Sequence, residues 1–191
     1  QAENFKKMLL TMNEDVRVIL IKIADRLHNM MTLKVMPEEK QVRIASETLY
    51  IYAPLSHRIG MFNIKTQLED LALKYTEPEV YEDIKLKIKE TKKERVNYIN
   101  NFSELLQSHL KKERIIFSSE GRFKSIFSIR KKMQLKNRRF DEVFDRLAIR
   151  IIYKSTPKKE KFLAWKIYSI VTDHFQPNPM RLRDWISSPK S

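Results

Sequence analysis

Residues 147–153 read Leu-Ala-Ile-Arg-Ile-Ile-Tyr, and this stretch decides between an all-helical chain and a mixed one. It is short, β-branched and almost continuously apolar, which predicts a strand buried on both faces. No other stretch of the 191 residues carries so strong a strand pattern. Upstream, Ile115-Ile116-Phe117 is a weaker strand candidate, and a basic helix is predicted between the two, from about Arg122 to Leu135. Downstream, 159–175 reads as a helix covering the sheet, and the tail QPNPMRLRDWISSPKS reads as loop with an extended middle. The region from about 113 therefore opens like an α/β or α+β domain, as βαβα. Two strands do not make a stable sheet, so this domain is expected to continue past Ser191.

Everything before Lys112 reads as helix. Asn13 is a candidate N-cap with Glu14 and Asp15 in the first turn. The helix then runs through VRVILIKIADRLHNMMTLKVM and stops before Pro37. Pro37 suits the first position of a second helix, which reaches about Tyr52 and bends or breaks at Pro54. Gly60 is a candidate C-cap. Asn63 is expected to cap a third helix to Tyr75. Pro78 opens a long fourth helix with Tyr81, Ile84, Ile88, Ile99, Phe102, Leu106 and Leu110 at helical spacing.

Composition narrows the function. The chain has two glycines, no cysteine, 42% hydrophobic and 32% charged residues, and a formal net charge of +14. So few glycines argue against a sandwich or barrel and remove the glycine-rich phosphate loops. Without cysteine there is no disulfide framework and no thiolate metal site, which fits a cytoplasmic protein. No apolar run is long enough for a membrane helix, and the first eight residues do not resemble a signal peptide. The charge points to an anionic partner: nucleic acid, nucleotide phosphates or an anionic surface.

Two constellations could carry chemistry. On the first helix, Ile19, Leu20, Ile23, Leu27, Met30 and Met31 share one face, and Asp25, Asn29 and Thr32 share the opposite one. Val18 and Ile21 lie on that opposite face too, so the helix is expected to be buried on both sides. A buried carboxylate needs a cationic partner or a metal. Asp25 is then either ion-paired to a neighbouring helix or a metal ligand; His28 points away from the trio. In the basic helix, Lys124, Ser128 and Lys132 recur at i, i+4 and i+8, with Arg122 at the entrance. A helix N-terminus with added cations suits phosphate. Asp145 precedes the best strand and Arg150 lies in it; an acid there could hold magnesium for nucleotide phosphates. Arg181, Arg183, Asp184 and Lys190 form a second group. The alternative for all of these is a solvated basic surface.

The residues resemble the RelA/SpoT family, which makes and degrades guanosine tetra- and pentaphosphate in the stringent response. DVRVILIKIADRLHNMMTL (15–33) resembles its last hydrolase helix, and APLSHRIGMFNIKTQLEDLALKY (53–75) its interdomain helices. GRFKSIFSIRKKM (121–133), FDEVFDRLAIRII (140–152) and RLRDWISSPK (181–190) resemble successive synthetase motifs. The resemblance implies three parts. Residues 1–53 would end an all-helical HD-type hydrolase domain, 54–112 would be a helical linker, and 113–191 would begin a nucleotidyltransferase-like synthetase domain. The fold is thus mainly α with a C-terminal α+β part.

It also implies residue roles. Asp25 matches a manganese ligand of the hydrolase, and Asn29 and Thr32 match its nucleotide contacts. Arg122, Lys124, Ser128 and Lys132 match ATP contacts, Arg150 an arginine that stacks on adenine, and Asp145 the magnesium aspartate of the synthetase. Arg183 and Lys190 match basic residues near the pyrophosphate acceptor. Met31 and Ser125 stand where the family often has Arg and His, and Arg183 where Lys is common. The basic Arg181-Leu-Arg-Asp184 resembles the form found in bifunctional members. Implied ligands are ATP, GDP or GTP and (p)ppGpp, with the ribosome reached through regions outside these residues. The remaining hydrolase ligands are expected upstream of Gln1 and the second synthetase carboxylate downstream of Ser191, so the 191 residues alone are expected to be inactive. A basic nucleic-acid-binding helical module is the competing reading.

Overall fold

A computed structural model of the chain describes residues 15–143 and 146–188. They divide into two compact units. The first holds residues 15–89 together with 124–143; the second holds 90–123 together with 146–188.

The first unit starts with helix α1, Val16–Met31. Its N-cap is Asp15, whose carboxylate accepts from the Arg17 N–H at 2.9 Å. Asp15 thus lies outside the first turn, where the sequence had suggested it; the expected cap, Asn13, lies outside the described residues. The α-helix ends at Met31, and a 3-10 turn over Leu33–Val35 covers the stretch expected to stay helical up to Pro37. Pro37 is the N-cap of α2, Glu38–Glu47, rather than its first residue.

Pro54 does not break the next helix. A π turn over Thr48–Tyr52 leads directly into α3, Ala53–Arg58, with Pro54 in its first turn. Proline cannot donate to the helical ladder, and the wider π turn just upstream is where the ladder changes register. The Thr48 hydroxyl donates to the Ile44 carbonyl at 2.7 Å, and the Ser56 hydroxyl to that of Tyr52 at 2.8 Å. Gly60, at φ 79°, stops α3 as expected. Its N–H bonds the His57 carbonyl and that of Met61 bonds Ser56, the paired pattern of a Schellman stop.

Helix α4, Phe62–Thr76, is capped by Met61, so Asn63 sits inside the first turn rather than capping it. The long helix expected from Pro78 is two helices, α5 (Pro78–Glu90) and α6 (Lys92–Lys112), interrupted at Thr91. The core of α1 to α4 is Ile19, Ile23, Met30, Leu33, Ala45, Ala53, Leu55, Leu68 and Ala72. Leu20 and Met31, placed on the same face by spacing, are 40% and 58% exposed. A second cluster joins Ile84 of α5 to Ile129, Phe140 and Val143. Ile129 belongs to α7, Ile126–Lys136.

In the second unit, α6 ends with its own Schellman pattern. Arg114 takes the left-handed conformation at φ 54°, and the Ile115 N–H bonds the Leu110 carbonyl at 3.0 Å. Ile115 is buried against Leu106 and Leu110. It therefore serves the helix stop, which is why the strand expected at 115–117 begins only at Phe117. Strand β1, Phe117–Phe123, pairs antiparallel with β2, Leu147–Tyr153, from Phe117↔Tyr153 to Phe123↔Leu147. The pair is not the parallel unit a βαβ pattern suggests. Nor is β2 buried on both faces: Leu147, Ile149, Ile151 and Tyr153 are half-buried, while Ala148, Arg150 and Ile152 are exposed. A Cβ at Gly121 would lie 2.5 Å from Ile99 Cδ1 on α6, the free end of a side chain that can rotate aside. Helix α8, Glu160–His174, packs Ile167 onto Leu106, Leu110 and Ile115.

Candidate functional site

The Asp25–Asn29–Thr32 trio comes together on one face of α1, and that face is exposed. The Asn29 amide donates to Asp25 Oδ2 at 3.2 Å. Thr32, the C-cap, donates its hydroxyl to the carbonyls of His28 (3.1 Å) and Asn29 (3.4 Å). The expectation of burial on both sides is therefore wrong: Ile21 on this face is 67% exposed. The ion pair considered for Asp25 belongs to its neighbour. Arg26 Nη2 reaches Glu47 Oε2 at 3.0 Å, and the guanidinium lies 4.1 Å from the centre of the Tyr52 ring. Asp25 keeps most of its acceptor capacity, which suits an oxygen ligand for a divalent cation. Among the described residues no group of three or more His, Cys, Asp or Glu could complete such a site, so Asp25 fits one position of a ligand set.

The second group is distributed over both units. Lys124, Ser128 and Lys132, all half-buried, lie in the first unit. Arg122 lies in the second, exposed in β1 opposite Ala148, not at the helix entrance. Helix α7 starts later than expected because Ser125 caps it. The Ser125 oxygen accepts from the Ser128 N–H at 3.2 Å, and its hydroxyl donates to Ser128 Oγ at 2.9 Å.

Sequence reasoning missed the other contact at this helix end. Asp70 of α4 accepts from the Phe127 N–H at 2.8 Å. Burial pushes its carboxyl pKa above the usual value, opposed chiefly by the hydrogen bond from the Phe127 N–H. Seven residues on, Glu77 Oε2 accepts from Arg130 Nε (2.8 Å) and Nη2 (2.6 Å). Two acids flanking one stretch of helix thus hold α7. No local spacing signals this, since the partners are 57 and 53 residues apart. The N–H groups of Phe127 and Ser128 are already bonded, so phosphate at this helix would be met by side chains rather than by these amides.

Arg150 is exposed on β2 and lies opposite Glu120 in the register. It borders a shallow depression with Ile152, Tyr153, Ser155 and Glu160. Arg183 is exposed, just beyond the 3-10 turn Pro179–Arg181. Asp184 accepts from the Ile186 and Ser187 N–H groups at 2.9 and 2.8 Å, and these bonds, that from Ser187 foremost, lower its pKa. Asp145 and Lys190 lie outside the described residues.

Residues 1–62 match the HD domain model, and residues 121–191 match the region found in RelA / SpoT proteins. The whole chain also aligns with curated relatives. It is 44% identical to a GTP pyrophosphokinase of Myxococcus xanthus, covering 100% of this chain and 24% of the relative. It is 40% identical to the bifunctional (p)ppGpp synthase/hydrolase SpoT of Escherichia coli K12, covering 100% and 26%. A guanosine-3′,5′-bis(diphosphate) 3′-pyrophosphohydrolase of Aquifex aeolicus is also 40% identical, with 100% and 27% covered. The chain is thus similar along its whole length to RelA/SpoT proteins. It spans about a quarter of the length of these relatives. Two expectations are met: the resemblance to RelA/SpoT proteins, and a mainly helical fold with a small C-terminal sheet. Among the described residues no helix is long and apolar enough to cross a membrane.

Proposed function

We propose that these residues belong to an enzyme of guanosine tetra- and pentaphosphate metabolism with two opposed activities. One transfers pyrophosphate from ATP to the 3′-hydroxyl of GDP or GTP; the other hydrolyses the 3′-pyrophosphate of (p)ppGpp. Support comes from a match running through the whole chain to relatives named for either activity or for both. In this reading 1–53 end the hydrolase domain, 54–112 link, and 113–191 begin the synthetase domain. The protein works in the cytoplasm.

On the hydrolase side, Asp25 would be one ligand of a divalent ion, manganese in our reading, and Asn29 and Thr32 would contact the nucleotide. Such an ion supplies Lewis acidity and an activated water. The exposure of Asp25 and its single amide donor favour this role. On the synthetase side, Lys124, Ser128 and Lys132 would hold ATP phosphates with Arg122, and Arg150 would stack on the adenine. Arg183 and Lys190 would neutralise the acceptor's pyrophosphate. Asp145 would hold magnesium, which supplies charge neutralisation at the transferred group. Phosphoryl-type transfer depends on positioning and charge neutralisation, and a row of side chains along a helix held at two points suits that demand.

Separate Asp25→Ala and Asp145→Ala substitutions test this in a protein of the relatives' length. Hydrolysis should be lost with synthesis kept in the first, and the reverse in the second. Retained hydrolysis in the first or retained synthesis in the second would refute the assignment. The competing nucleic-acid reading predicts binding that falls steeply with salt; no mobility shift of duplex or single strands at low salt would remove it.

A further inference from the structure

Two histidines that the nucleotide chemistry does not use meet at the end of the second unit. His109 is in the last turn of α6, and His174 is the last residue of α8. Their Nε2 atoms are 3.1 Å apart. The ring centres are 4.3 Å apart and the planes are inclined at 53°. The centre separation exceeds the nitrogen separation by much less than a ring's width. The rings therefore meet at an angle, not end to end, which is a poor alignment for one N–H···N bond.

The protonation pattern of His109 follows from its neighbours. Its Nδ1 lies 2.9 Å from the Leu105 carbonyl, which can only accept. Nδ1 therefore carries the proton, and it also faces the Ser108 oxygen at 3.0 Å, whose own hydroxyl donates to Leu105 at 2.7 Å. In the neutral ring this leaves Nε2 with a free lone pair, turned toward His174. A histidine whose far nitrogen is fixed on a backbone carbonyl is oriented as metal-binding histidines usually are.

We infer that His109 and His174 form a two-nitrogen site for a borderline-soft divalent transition ion, such as zinc, nickel or copper, with water completing the coordination. Two imidazole nitrogens on one tetrahedral ion stand roughly 3.3 Å apart, given Zn–N bonds of about 2.0–2.1 Å; the observed 3.1 Å needs only a small adjustment. Imidazole selects these ions over the hard cations favoured by carboxylates. The location adds to this. Both rings lie at helix C-termini, whose partial negative charge favours a cation. Both helices are fixed nearby: Leu106 and Leu110 pack on Ile167 and Val171, and Phe102 meets Phe175 with ring centres 4.7 Å apart. The bound ion would tie α6 to α8 across 65 residues of sequence. The inference does not depend on the nucleotide reading.

The test uses the chain without an affinity tag, freed of metal, titrated with zinc and nickel by calorimetry and with copper(II) by electron paramagnetic resonance. His28 and His57 stay in every variant as internal controls. One ion should bind per chain, copper should show a two-nitrogen signal, and zinc should raise the melting midpoint. H109Q and H174Q should each weaken binding at least about tenfold and abolish the zinc-dependent shift. The two variants lie on different helices, so a folding failure in one leaves the other to decide, with circular dichroism as the check. No binding at micromolar metal, or binding unchanged in a folded H109Q or H174Q, overturns the site and leaves the pair as a hydrogen bond.

Discussion

Replacing Asp70 measures how firmly α4 holds the helix bearing Lys124, Ser128 and Lys132. In Asp70→Ala the Phe127 N–H loses its 2.8 Å acceptor at a half-buried position. A buried donor left unsatisfied costs about 1–3 kcal/mol, and losing a capping acceptor about 0.5–2 kcal/mol. These describe one bond, so the expected loss is about 1–3 kcal/mol, not the sum. Asp70→Asn keeps an oxygen for the same N–H and avoids desolvating a charge, so it should stay close to the wild type at neutral pH.

The pH dependence has a definite sign. Burial raises the folded-state pKa of Asp70 above its ordinary value. A raised carboxyl pKa means that the folded state favours the protonated form. Its contribution is therefore complete below the unfolded pKa, near 4, and is lost as pH rises through the folded value. The stability of the wild type relative to Asp70→Asn should fall across that window. Urea unfolding followed by helical circular dichroism reads the effect. Tryptophan fluorescence does not, because Trp165 and Trp185 lie in the other unit. Amide exchange at Phe127 should rise in the alanine variant. An Asp70→Ala midpoint equal to the wild type, or an Asn variant as damaged as the Ala variant, would refute the reasoning.

Gly121→Ala should destabilise the second unit by no more than about 1.5 kcal/mol, the cost of turning the Ile99 side chain off its present rotamer; Gly121→Val, whose added methyls leave Ile99 less room, should cost more, seen in the melting midpoints of the two variants. Leu110→Ala removes a fully buried side chain and should cost about 2–5 kcal/mol, read by tryptophan fluorescence on urea unfolding. Asp25→Asn should leave stability within about 0.5 kcal/mol, as exposed substitutions do. Its circular dichroism melt should overlay the wild type, so any loss of hydrolysis in a longer protein would come from chemistry rather than from unfolding.

Much of the helical part was legible because local signals agree with tertiary packing. The periodic positions Ile19, Ile23 and Met30, and later Ile84, Leu106 and Leu110, are the ones buried, and Gly60 stops a helix as its type suggests. What could not be read depends on distant partners. Ile115 looks like a strand residue, but the apolar surface of Leu106 and Leu110 draws it into a helix stop. β2 looks buried on both faces because its sequence is apolar except at Arg150; its packing makes it alternate. The Asp25 trio was placed together correctly by spacing, but its exposure was not, since periodicity says which residues share a face and not what covers that face. Asp70 and Glu77 carried no local signal, because an acid in a charged helix looks the same whether it faces water or another helix's amides.

The helix end at Ser125 changes how an anion would be met. A chain with two glycines has no glycine-rich loop to offer phosphate its amides, which left a helix N-terminus as the natural substitute. The N-terminus of α7 is already used: Ser125 takes the Ser128 N–H and Asp70 takes the Phe127 N–H. Placing a carboxylate there also puts negative charge where the helix dipole would favour phosphate. In the function proposed above, phosphate along this helix would be attracted by Lys124 and Lys132 and oriented by the Ser128 hydroxyl, at the side of the helix rather than its tip. Point charges on long side chains hold phosphate less rigidly than fixed amides do, so the clamp by Asp70 and Glu77 gains importance: it fixes the backbone from which those side chains extend.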